Sequence, residues 1–152
     1  MQMDEALAER LLLACSGLAR AASAATSTGE LSMTQARLLG NLLREGPLRV
    51  SRLAALERCA QPSMTSLVNR CAEAGLLTRE PDPDDARAVR VTLTDAGSQA
   101  LREHRRRLSR PVADAVDALH AGRADEVAAT TALLEELVAT LWSRADGTVP
   151  AT

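Results

Sequence analysis

The sequence predicts a mainly α-helical fold carrying one small β-hairpin, an α+β arrangement with helices before and after the hairpin. Three observations lead there. Apolar residues recur at helical spacing over most of the chain. Period-2 alternation is confined to short stretches on either side of a turn rich in Pro and Asp at 81–88. The core must also be assembled from Leu, Val, Ala and Met, because Phe, Tyr and Ile are absent and Trp142 is the only aromatic residue. Ala and Leu favour helix. At 152 residues, 46% of them apolar, the chain can bury most of a core without disulfides or metal.

Each element has a local reason. Over 4–26, Leu7, Leu11, Ala14, Leu18, Ala21, Ala22 and Ala25 share one side of a helix, and Leu12 and Leu13 widen the stripe beyond what one neighbour covers. Thr26-Ser27-Thr28-Gly29 ends that run. Ser32-Met33-Thr34-Gln35 has the form of a capping box opening a second helix, with Leu38, Leu39, Leu42 and Leu43 as its buried stripe and Gly46-Pro47 as its stop. Leu48-Arg49-Val50 has room for one short edge strand, and Ser51 is placed to cap a short helix bearing Leu53, Ala54 and Leu56.

The next helix is the most informative. Pro62 suits a first helical turn. Met64, Leu67, Val68 and Cys71 follow the i, i+3, i+4, i+7 rule, and Gly75 sits where a left-handed cap is expected. At about 100° per residue, the face opposite the apolar stripe carries Pro62, Ser66, Asn69 and Glu73, flanked by Thr65 and Arg70. A short helix of this kind suits a major groove, although composition alone favours a solvated surface helix. Leu76–Glu80 reads as a strand, 81–88 as a long polar turn, and Val89–Leu93 as the return strand. Thr94 is placed to cap a helical region over 95–120, which Pro111 should kink or restart. A last helix runs from about Ala124 to Arg144, with Val127, Thr131, Leu134, Leu137, Val138 and Leu141 on its apolar face.

Composition also excludes functions. All 18 basic residues are Arg and none is Lys, against 20 acidic residues and a net charge of −2. A GC-rich bacterial genome accounts for that bias. Without Tyr or Phe there is no stacking platform for single-stranded nucleic acid. No apolar run reaches the roughly 20 residues that span a bilayer, and the acidic start is not a signal peptide, so a cytoplasmic protein with three reduced cysteines is expected. There is no Gly-rich phosphate loop and no His-based dyad, and His104 and His120 have no metal-ligand spacing with Cys or carboxylates. Neither an enzyme nor a cofactor is expected.

The order helix, short strand, helix, helix, strand, turn, strand is that of a winged helix-turn-helix. From Leu31 to about Leu101 the chain resembles the MarR family of bacterial transcription regulators. The resemblance rests on Leu31-Ser32-Met33-Thr34-Gln35, Val50-Ser51-Arg52-Leu53-Ala54, Pro62-Ser63-Met64-Thr65, Gly75-Leu76-Leu77-Thr78-Arg79 and, most specifically, Asp85-Ala86-Arg87 followed by Leu93-Thr94. Ala88 departs from it, since relatives often have Gly there. The resemblance implies a dimerisation helix over 1–30, a DNA-binding lobe over 31–94 and further dimerisation helices over 95–145; the terminal residues 146–152 read as a frayed tail.

It implies a homodimer binding a pseudo-palindromic double-stranded operator, most simply as a repressor released by a small molecule, often an aromatic acid. Ser63, Thr65, Ser66, Asn69 and Arg70 then face DNA, with Asn suited to adenine and Arg to guanine. Arg49 and Arg52 add backbone contacts. Arg87 enters a minor groove, steadied by a bidentate pair with Asp85. The acidic wing opposes phosphate unless Asp82, Asp84 and Asp85 turn away or pair with Arg79, Arg87 or Arg90. The Arg-rich run 102–110 reads as a solvated face or a counter-charge for acidic partner helices. Peroxide-sensing relatives carry a Cys near the position of Cys15 but hold it with Tyr hydroxyls, which this chain lacks. A small hydrophobe is the plainer reading of Cys15, with redox sensing as the alternative. A winged helix used only for protein contacts is the reading from another class; it has no need of both Arg70 and Arg87.

Overall fold

The computed structural model describes residues 4–26, 31–119 and 122–145. The elements in chain order are α1 (Glu5–Ala24), α2 (Met33–Glu45), β1 (Leu48–Arg49), α3 (Val50–Leu56), α4 (Gln61–Glu73), β2 (Leu77–Asp82), β3 (Asp85–Leu93), α5 (Asp95–Leu119) and α6 (Ala124–Ala145). The mainly helical α+β expectation is met. The expected tail at 146–152, the loop residues Ser27–Gly29 and His120 lie outside the described residues. Among the described residues no helix is long and apolar enough to cross a membrane.

The caps form largely as the sequence dictates. At α2, the Gln35 N–H donates to Ser32 Oγ at 3.2 Å and the Ser32 N–H to Gln35 Oε1 at 2.9 Å, both halves of a capping box. Gly46 follows with φ 80°, a conformation open to glycine. The cap of α3 differs from expectation. That helix already begins at Val50, with Arg49 as N-cap and no side-chain cap, so Ser51 lies inside its first turn. At α5 the expected cap is present: the Gly97 N–H donates to Thr94 Oγ1 at 3.0 Å. The helix neither restarts nor ends at Pro111 but runs on to Leu119.

The sheet is antiparallel in the order β1-β3-β2, with Leu48 opposite Val91 and Leu77 opposite Leu93. The hairpin corrects the sequence reading. The turn is not eight residues long but two, Pro83-Asp84, since β2 runs to Asp82 and β3 starts at Asp85. Pro81 pairs with Val89 while Asp82 pairs with Asp85, so Ala86, Arg87 and Ala88 stand out of the ladder as a bulge. Arg87 therefore sits in a bulge on a strand and not on a loose tip.

By compactness the chain divides at Pro111 into Met1–Pro111 and Val112–Thr152. The first unit holds the core. Leu38, Leu39, Leu53, Val68, Cys71 and Val91 are fully buried and Met64 and Leu101 nearly so, drawing on α2, α3, α4, β3 and α5. Burial pushes the Cys71 thiol above its usual range, although Gln35 opposes this by hydrogen bonding. The stripe expected on α4 is the stripe that is buried. In the second unit no described side chain is buried, and Val127, Leu133, Val138, Leu141 and Trp142 are exposed.

Candidate nucleic-acid interface

α3 and α4 form the helix-turn-helix. Glu57, next after α3, accepts from Asn41 Nδ2 of α2 at 2.6 Å and pairs with Arg37 at 2.7 Å. These bonds tie the turn between the helices to α2. The turn itself is sharp: Arg58 takes φ 49°, the left-handed region that favours glycine.

The far end of α4 is held as firmly. Gly75 has φ 71°, and its carbonyl accepts from Thr94 Oγ1 at 2.8 Å. Gly97 lies so close that a Cβ there would meet the Leu76 carbonyl oxygen at 2.0 Å. Thr94 thus caps α5 and clamps the junction of α4 and β2 with one hydroxyl. Gly97 is the small residue that lets α5 approach that junction.

This scaffold sets out the exposed face of α4. Ser63, Ser66 and Arg70 are exposed, and Thr65 and Asn69 are half-buried. Thr65 Oγ1 donates to the Gln61 carbonyl at 2.9 Å and Ser66 Oγ to the Pro62 carbonyl at 3.0 Å, leaving oxygen lone pairs outward. Arg79 of β2 donates to Asn69 Oδ1. No sequence signal marked Arg79 as part of this face. It lies ten residues from Asn69 and meets it only because β2 runs back beside α4.

Arg49, Arg79 and Arg87 share one open concavity of about 260 Å³ with Ser51, Gln61 and Thr65. The start of α4 has no side-chain cap, so its first turn adds backbone N–H groups to this cationic surface. Arg49, Thr65 and Arg87 of the sequence reading are thus brought together. Arg52 is exposed on α3 but does not line the concavity, and Cys15 is half-buried on α1.

The acid–base pairing at the wing differs from expectation. Asp85 is exposed and makes no ion pair with Arg87 among the described residues; its Oδ1 accepts from the Arg87 backbone N–H at 3.0 Å. The bidentate pair is Arg49–Asp82, with Nε to Oδ2 at 2.8 Å and Nη2 to Oδ1 at 3.0 Å. Asp82 is buried and also accepts from the Asp84 N–H at 2.9 Å. Hydrogen bonding to Arg49, then to Asp84, holds the Asp82 carboxyl well below its ordinary value, at about 2. The partner of Asp82 is therefore none of the three arginines proposed from sequence. The pair spans 33 residues and binds β1 to the wing, cancelling an acid that would otherwise oppose phosphate. Among the described residues no cluster of three His, Cys, Asp or Glu side chains is placed to hold a metal.

Two helices joined by a tight turn, followed by a two-stranded wing on a cationic surface, define a winged helix-turn-helix DNA-binding protein. A family model for MarR matches residues 31–89. An uncharacterised HTH-type transcriptional regulator of Mycobacterium leprae is 30% identical over 138 residues, covering 91% of this chain and 96% of that protein. A MarR family protein of Bacillus stearothermophilus superposes with a TM-score of 0.71 at 25% identity, covering 92% of this chain and 99% of that one. The PcaV transcriptional regulator of Streptomyces coelicolor, solved in complex with its natural ligand, gives 0.54 at 26% identity, covering 91% and 96%. The chain belongs to the MarR family of DNA-binding transcriptional regulators.

Proposed function

We propose that the protein is a cytoplasmic homodimeric repressor of a pseudo-palindromic operator, released by a small-molecule effector. The observation that carries the DNA-binding geometry is the shared surface of α4 and the wing, where Thr65 and Gln61 line the same concavity as Arg79 and Arg87. α4 enters the major groove, with Arg70 and Asn69 at base edges and Ser63, Thr65 and Ser66 at phosphates. Arg87, aimed by its bulge, enters the adjacent minor groove, where negative potential is concentrated. Arg49 and Arg52 flank the backbone, Arg49 with its charge balanced by Asp82.

The dimer reading is supported by Leu7, Leu12, Leu13 and Leu18 on α1 and by the exposed apolar residues of α6. Apolar surface on this scale marks an interaction site. The effector reading rests on likeness to PcaV, which was solved with a natural ligand.

Binding to duplexes from the protein's own upstream region, measured at several salt concentrations, tests the proposal. Affinity falls steeply with salt through counterion release. Arg87→Ala weakens all sequences, and Arg70→Ala changes which sequence is preferred. Failure to bind either that region or any selected random duplex overturns the reading.

A further inference from the structure

We propose that Arg79 determines the base preference of the recognition helix by fixing which end of the Asn69 carboxamide faces the groove. This rests on the reading that α4 enters the major groove. A guanidinium only donates, so the group of Asn69 that meets Arg79 is its oxygen, Oδ1. That contact turns Nδ2 away from Arg79, and no protein group among the described residues accepts from it.

The consequence is chemical. An asparagine recognises adenine by using both ends, the oxygen accepting from N6 and the amide donating to N7. With Oδ1 turned to Arg79 and one of its two lone pairs taken, the end of Asn69 left without a partner among the described residues is Nδ2, a donor. Its match is an edge made of acceptors, guanine O6 and N7 or thymine O4. Adenine, which offers N6 as a donor beside N7, must share an oxygen already turned to Arg79, so its pair is the weaker one. Asparagine by residue type points to adenine; asparagine held as it is here points away from it.

The fold makes this hold firm. Arg79 is in β2, opposite Val91 in the ladder, and its backbone is fixed by the sheet. Asn69 lies one turn beyond Thr65, which lines the same concavity as Arg79. The guanidinium is planar and offers only donors, in a fixed fork, so an oxygen is the only end of Asn69 that it can hold. Arg79 is here a positioning residue acting through Asn69.

Selection from randomised duplexes by the full-length protein tests this, using the wild type, Arg79→Met, Asn69→Ala and Asn69→Asp, each first shown to match the wild type in circular dichroism. In the wild type, one base in each half-site should be guanine or thymine, and Asn69→Ala should lose the preference at that base alone. Arg79→Met should move the same base towards adenine by on the order of tenfold, with other positions unchanged. Asn69→Asp keeps an oxygen for Arg79 and presents a second acceptor, so it should select cytosine. The proposal is overturned if the wild type already selects adenine at the base that Asn69→Ala flattens, or if Asn69→Ala flattens none. It is equally overturned if Arg79→Met weakens all duplexes alike, which would make Arg79 a phosphate contact, or if Asn69→Asp keeps the wild-type preference. A wild type that selects no sequence at all overturns the groove reading itself, and this proposal with it.

Discussion

The first compact unit and the second use similar residues to different ends. In the lobe built on α2, α3, α4 and β3, leucines are fully buried: Leu38, Leu39 and Leu53 are each 0% exposed. In α6, Leu133 is 55% and Leu141 62% exposed, and no described side chain of its unit is buried. α1, at the start of the first unit, resembles α6 in this, with Leu12 at 67% exposed and Ala22 its only buried residue. Helical periodicity alone does not distinguish these cases. An apolar stripe says that a face needs cover, while the rest of the chain decides whether the cover is internal. The lobe closes its own core; α1 and α6 leave large apolar side chains exposed within one chain.

Substitutions sharpen that contrast. Leu39→Ala, in the closed core, should cost about 2–5 kcal/mol in denaturant unfolding. A cost below about 1 kcal/mol would show that the core is looser than its burial indicates. Gly97→Ala comes next, at about 1–3 kcal/mol, because the new Cβ collides with the Leu76 carbonyl, which cannot swing aside as the Leu93 side chain beside it can. The same variant should lose DNA affinity, since the junction it displaces anchors α4 to β2.

A pH-dependent loss follows. The Asp82 carboxyl is depressed from 3.8 to about 2 in the folded protein. Its contribution is therefore fully present above pH 4 and is lost as the pH falls through about 2. Asp82→Asn should be less stable than the wild type at neutral pH, and the gap should close over that acid window. A gap independent of pH would mean that Asp82 acts by packing. Arg58→Gly should raise stability by up to about 1 kcal/mol in thermal unfolding, by relieving the left-handed backbone of the helix-turn-helix turn.

The smallest effect on the fold is expected from Leu12→Ala, below about 0.5 kcal/mol within one protomer. Its effect should appear instead in sedimentation, as a shift towards the monomer. If Leu12→Ala costs as much as Leu39→Ala at every protein concentration, α1 is closed within the chain and the contrast fails.

Much of the fold was legible in order and type. The capping box at Ser32, the stripe from Met64 to Cys71, the cap at Gly75 and the Thr94 cap are local chemistry, visible within a few residues of sequence. The wing was misread because its turn is set by a distant residue. Asp82 stays in the strand and is buried because Arg49, 33 residues earlier, pairs with it, so the Pro- and Asp-rich stretch closes in two residues and bulges at Arg87. Ser51 was misplaced as a cap because a residue at the edge of a two-residue strand, Arg49, already fills that position.

By itself, the sequence determined the helices, their buried faces, the order of a winged helix and the family, because periodicity, caps and turn residues act over one or two helical turns. Only the tertiary structure decided which charges oppose which. It gave Asp82 to Arg49, left Asp85 to cap a backbone N–H and brought Arg79 to Asn69. Such pairings depend on which strands lie beside which helix, and Coulombic and hydrogen-bond geometry is settled in space and not along the chain.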